Sequence, residues 1–128
     1  MARFFWIGFA GACGTWTRYL VGVWAGRAFG TAFPYGTLAV NVLGCFLIAA
    51  VMEVALSTTL IPPTTRLVLT TGFMGGLTTY SSFNYETTRL LSEKSWGTGL
   101  GNVGITLASC FAAGLLGLAL GRRFAIPS

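Results

Sequence analysis

The chain has 128 residues, 54% of them hydrophobic and only 9% charged, with a net charge of +5. A soluble domain carries about a quarter charged residues, so an ordinary water-soluble enzyme or nucleotide-binding module is excluded. The basic residues are scattered (Arg3, Arg18, Arg27, Arg66, Arg89, Lys94, Arg122, Arg123) and form no patch for nucleic acid. At roughly 20 residues per membrane crossing, the length accommodates four spans in one all-α integral membrane domain.

The first span is expected over residues 4–24. Arg3, the apolar run 4–10 and Gly11-Ala12-Cys13 loosely resemble a signal peptide, but the apolar stretch continues past Leu20 and favours a span. Gly8, Gly11 and Gly14 give it a small-residue face for close helix contact. Arg18 lies deep enough to need an acid partner, carbonyls at a helix end, or an aqueous vestibule. Residues 26–36, rich in Gly and aromatics, read as a loop.

The second span is expected over residues 36–57, with Asn41 near its start and Glu53 near its end. Pro62-Pro63 closes the loop that follows. The third, over 66–91, is the least regular. Gly75-Gly76 and the hydroxyls of Thr78, Thr79, Ser81 and Ser82 all disfavour a continuous helix, which predicts a break at 75–79 near the bilayer midplane. Irregular backbone at that depth survives only where it is buried in protein or lines a watery cavity. Its free carbonyls, at Gly75 and Thr78, suit a small cation such as Na⁺; alternatively the hydroxyls re-satisfy the backbone and leave a kink. Tyr80 and Phe83 flank the break, and an aromatic ring has a positive edge that can face an anion. Glu86 shares a helix face with Phe83, whereas Glu93 beside Lys94 reads as a solvated charge.

The fourth span is expected over residues 97–120 and carries one polar stripe: Asn102, Thr106 and Ser109. Cys13, Cys45 and Cys110 sit in apolar stretches without C-x-x-C spacing, and there is no histidine, so a disulfide framework or zinc site is not expected. Four spans put both termini on one side, with Arg3, Arg66, Arg122 and Arg123. The other side holds Arg27, Arg89 and Lys94, with Arg18 undecided. This near-balance gives little orientation bias. Copies inserted both ways could pair as an antiparallel, dual-topology homodimer, with their breaks meeting near the midplane.

Three strings carry a resemblance over essentially the whole chain: Gly14-Thr-Trp-Thr-Arg18-Tyr, Gly36-Thr-Leu-Ala-Val-Asn41-Val-Leu-Gly44, and Thr71-Gly-Phe-Met-Gly75-Gly-Leu-Thr78-Thr-Tyr-Ser-Ser-Phe83-Asn-Tyr-Glu86-Thr. In them the chain resembles the Fluc (CrcB) fluoride channels. The resemblance implies a fluoride-selective passive channel that exports F⁻ across the bacterial inner membrane as a multi-pass, antiparallel homodimer. It implies a structural Na⁺ on the backbone oxygens of Gly75 and Thr78. The fluoride pathway would pass Asn41, Tyr80, Phe83, Glu86, Thr106 and Ser109, with Arg18 in a vestibule or a structural pairing. Tyr80 stands where the family normally has phenylalanine; it keeps a ring edge and adds a phenol. Ser109 and Cys110 compete for the position after Thr106. The rival reading is a small multidrug-type proton-coupled antiporter, which needs a membrane carboxylate in the first span.

Overall fold

A computed structural model describes residues 2–125, and every regular element among them is helical. Helix α1 (Ala2–Phe29) leads by a short connection to α2 (Tyr35–Ser57). The third segment is built in pieces: α3 (Pro63–Leu67), a stretch of π winding (Val68–Met74), α4 (Gly75–Leu77) and, after a break, α5 (Tyr80–Ser92). Helix α6 (Trp96–Ala125) follows.

Local chemistry explains the ends. Gly30 takes φ +80, and its N–H returns to the Gly26 carbonyl at 3.1 Å, the glycine C-cap that L side chains resist. Helix α1 therefore runs five residues beyond its expected end at 24, and the loop shrinks accordingly. The Thr58 hydroxyl and N–H both close on the Val54 carbonyl, at 2.7 and 3.1 Å, ending α2. Pro63 opens α3 at a position where no helical N–H is needed.

Two seams organise the packing. Helices α2 and α6 run parallel, with Gly114, Gly117 and Gly121 turned towards Cys45, Phe46, Ala49, Ala50 and Glu53. A methyl group on Gly121 would lie 2.9 Å from the Ala50 carbonyl oxygen, so the two backbones are nearly in contact. Helix α1 packs just as closely on the π-wound stretch and α4. Gly72 lies against Ile7, Gly76 against Gly11, and Gly14 against Phe73 and Leu77.

The burial pattern is inverted relative to a protein in water. Phe4, Trp6, Trp16, Phe111, Leu115 and Phe124 are exposed, while Asn41, Thr79, Thr87, Asn102 and Thr106 are buried. An apolar exterior around polar interior groups fits a hydrocarbon surround. Helices α2 and α6 are long and apolar enough to cross a bilayer.

Candidate functional site

The break lies at Thr78 and Thr79, not at the paired glycines. Gly75 keeps helical angles (φ −62, ψ −37). Thr78 (φ −82, ψ 155) and Thr79 (φ −154, ψ 108) are extended. Each glycine costs about 1 kcal/mol in a helix, but here Gly76 lets α4 lie directly on Gly11 of α1.

Side chains take over what the helix gives up. The Met74 carbonyl keeps its helical donor, the Thr78 N–H at 3.0 Å, and the Thr78 hydroxyl donates to it as well at 3.0 Å. Thr79 caps α5 by accepting the Ser82 N–H at 3.1 Å. Asn41, one helical turn before Gly44 on α2, accepts the Thr79 N–H at 2.7 Å and donates to its carbonyl at 3.1 Å. Gly44 makes this approach possible, because the Thr78 methyl group occupies the space a Cβ there would fill. One Asn41 Nδ2 hydrogen remains for another acceptor.

A cavity of about 420 Å³ opens beside the break. Asn41, Gly75, Thr78, Tyr80, Phe83 and Thr106 all line it, together with Cys45 and Cys110. Six of the residues singled out from the sequence thus share one surface. The rings of Tyr80 and Phe83 are tilted by 53° at a centroid separation of 5.7 Å. Phe83 is 9% exposed and Tyr80 78%, so the tyrosine projects from the subunit and the phenylalanine belongs to its wall.

The other three lie elsewhere. Arg18 donates from Nη1 to the Thr78 carbonyl at 3.4 Å. It faces a second cavity of about 720 Å³ with Thr15, Thr37, Thr79, Ser81 and Ser82. Of the contacts open to it, the structure shows the one to a carbonyl at a helix end. Glu86 accepts from Thr37 at 2.7 Å through Oε1 and borders a cavity of about 250 Å³ beneath the α1–α2 connection. Its Oε2 is buried with no hydrogen-bond partner among the described residues. The Ser109 hydroxyl returns to the Ile105 carbonyl of its own helix at 2.6 Å, and Cys110 takes the cavity-lining place beyond Thr106. Glu93 pairs with Arg89 at 3.4 Å on the exposed side of α5, and Glu53 with Arg122 at 3.7 Å.

A buried relay joins α6 to α5. Thr106 donates to Asn102 Oδ1 at 3.3 Å, Asn102 Nδ2 to the Thr87 hydroxyl at 2.8 Å, and Thr87 to the Phe83 carbonyl at 2.7 Å. Thr87 was not among the expected site residues. It lies four residues after Phe83, hence on the same face of α5, and that spacing is the one signal for it in the sequence.

The cation expectation can be tested against these contacts. The Gly75 carbonyl has lost its helical donor, since the Thr79 N–H is engaged by Asn41. The Thr78 carbonyl carries only the long bond from Arg18 and keeps a second lone pair. Two such oxygens suit a small hard cation but do not complete its shell.

Apolar helices around a polar, side-chain-supported break define an integral membrane protein of the helix-break type, in which irregular backbone is held within the protein beside a cavity. Residues 5–118 match the model described as CrcB-like protein, Camphor Resistance (CrcB), and the chain belongs to that family. Relatives named "Fluoride-specific ion channel FluC" span nearly the same length. One from Sorangium cellulosum is 57% identical over 123 residues, covering 96% of this chain and 97% of the relative. One from Geobacter metallireducens is 49% identical over 113 residues (88% and 91%). One from Anaeromyxobacter dehalogenans is 45% identical over 125 residues (98% and 99%).

Proposed function

We propose that this protein is a passive, fluoride-selective channel that exports F⁻ across the bacterial inner membrane, and not an enzyme. The observation that carries the reading is the shared cavity at the break. It gathers an amide, two aromatic rings and threonine side chains without a formal positive charge. Fluoride is small and strongly hydrated, so its water must be replaced in steps. The free Asn41 Nδ2 hydrogen and the ring edges of Tyr80 and Phe83 supply partial positive charge for that purpose, and the Thr106 hydroxyl would join them by turning from Asn102 Oδ1. A fixed cation in the same place would retain the ion, whereas conduction requires that it leave as readily as it enters. Arg18, one cavity away, raises the local anion concentration without sitting on the path. Glu86 extends the polar track, and Ser109 would join it by leaving its bond to the Ile105 carbonyl.

The working unit is an antiparallel, dual-topology homodimer of two four-span subunits, each a single membrane domain. Support comes from the near-balance of basic residues and from Gly75 and Tyr80, which are exposed on the subunit at the break. A polar break facing lipid is costly; a second copy covers it. Gly75 and Thr78 of each copy would hold a structural Na⁺, whose charge would bind the two breaks together. Proton-coupled drug export fits less well, because α1 contains no carboxylate. Growth separates the two. In cells lacking fluoride export, this chain should restore growth in fluoride and give no resistance to quaternary ammonium compounds. The opposite pattern would reject the channel reading.

A further inference from the structure

An uninterrupted helix through residues 75–79 would give the Gly75 carbonyl the N–H of Thr79, four residues on. Here that N–H donates to Asn41 Oδ1 at 2.7 Å, and the Asn41 amide returns a bond to the Thr79 carbonyl at 3.1 Å. One side chain thus holds both backbone polar groups of a single residue, as a neighbouring strand would. Gly75 itself is undistorted, with φ −62 and ψ −37. Its oxygen is without a partner because its donor has been taken, not because its own backbone is bent. Among the described residues, no other donor reaches it. Asn41 is 9% exposed and Thr79 6%, so water does not compete for this pairing, whereas Gly75 lies on the exposed side of the break.

We propose that Asn41 is the positioning residue of the cation site: by capturing the Thr79 N–H it frees the Gly75 carbonyl to face a Na⁺-sized cation. The inference rests on the reading that Gly75 and Thr78 hold such a cation. It gives Asn41 two tasks, one toward the anion through its remaining Nδ2 hydrogen and one toward the cation through its oxygen. The two ions are then coupled by a single side chain. If Asn41 loses its acceptor oxygen, the Thr79 N–H is stranded in a dry setting, where an unpaired donor is costly. The nearest remedy is to continue the helix by one residue, which pairs that N–H with Gly75 and withdraws the oxygen from the cation.

The test is the thermal midpoint of the purified full chain, titrated with Na⁺ against choline at constant ionic strength. The wild type should gain ~5 °C at Na⁺ well above its dissociation constant. Asn41→Ala should lose that gain. Asn41→Asp keeps an acceptor oxygen for the Thr79 N–H and should retain it, even where its fluoride flux is altered. An undiminished Na⁺ response in Asn41→Ala overturns the inference, as does its loss in Asn41→Asp. Should the alanine variant not fold, the aspartate variant decides alone. A wild type that conducts fluoride but shows no Na⁺ response refutes the underlying cation reading, and the inference falls with it.

Discussion

The seam between α2 and α6 and the segment from Pro63 to Ser92 solve the same problem in opposite ways. Both must satisfy backbone polar groups in an apolar surround. In the seam, each helix satisfies its own hydrogen bonds, and Gly114, Gly117 and Gly121 let two intact backbones touch. In the third segment, the ladder fails after the Thr78 N–H, and Asn41, Arg18 and the Thr79 hydroxyl supply part of what is missing. Self-satisfied backbone makes a wall. Backbone held by side chains leaves the Gly75 carbonyl and one Asn41 amide hydrogen without protein partners among the described residues.

That contrast can be broken at the wall first. Gly117→Val would drive a branched side chain into the Phe46 carbonyl and Ala49. Overpacking of this kind costs about 1–3 kcal/mol or more, and here it should abolish recovery of folded protein by size-exclusion chromatography. Gly104→Val, with nothing within 4 Å of the added carbon, should elute as the wild type does. At the break, Phe83→Ile keeps an apolar wall but removes the ring edge. Fluoride efflux should fall at least ~10-fold, about 1.4 kcal/mol in barrier, while the thermal midpoint moves little. Unchanged flux would discount the ring as an anion contact.

The relay from Thr106 to Phe83 sits between the two regions. Asn102→Ala strands the buried Thr106 hydroxyl, at a cost of about 1–3 kcal/mol, and removes the donor to the Thr87 oxygen. The variant should melt several degrees lower and conduct more slowly, and Asn102→Asp should recover part of both. The smallest effect is expected at the rim, where Arg122→Gln removes an ion pair with Glu53 whose arginine is two-thirds exposed. Such pairs contribute about 0–1 kcal/mol, so denaturation and flux should both stay close to wild type.

How much of this was legible in the sequence differs between the regions. The helical segments followed from length and apolar composition, and Pro62-Pro63 marked a helix start through the backbone chemistry of proline. The break was expected within 75–79, and the structure narrows it to Thr78 and Thr79. The paired glycines signalled weak helix, yet at Gly76 the small residue serves contact with α1, and the extended residues are the two threonines that Asn41 and the cap hold. Partners 38 residues apart leave no local trace, so neither the Asn41–Thr79 pairing nor the π winding before it could be read from spacing. The Thr87–Asn102 contact was hidden for the same reason. The polar stripe on α6 was visible, but which hydroxyl turns inward depended on packing: Thr106 does, and Ser109 bonds back to its own helix.

The most direct test of the central claim, that the side-chain-held break forms a path for fluoride, is anion efflux from liposomes containing the purified chain. With the membrane potential clamped by a potassium ionophore, the account predicts rapid F⁻ efflux and negligible Cl⁻ efflux. No F⁻ efflux above protein-free liposomes, or equal rates for the two anions, would contradict it.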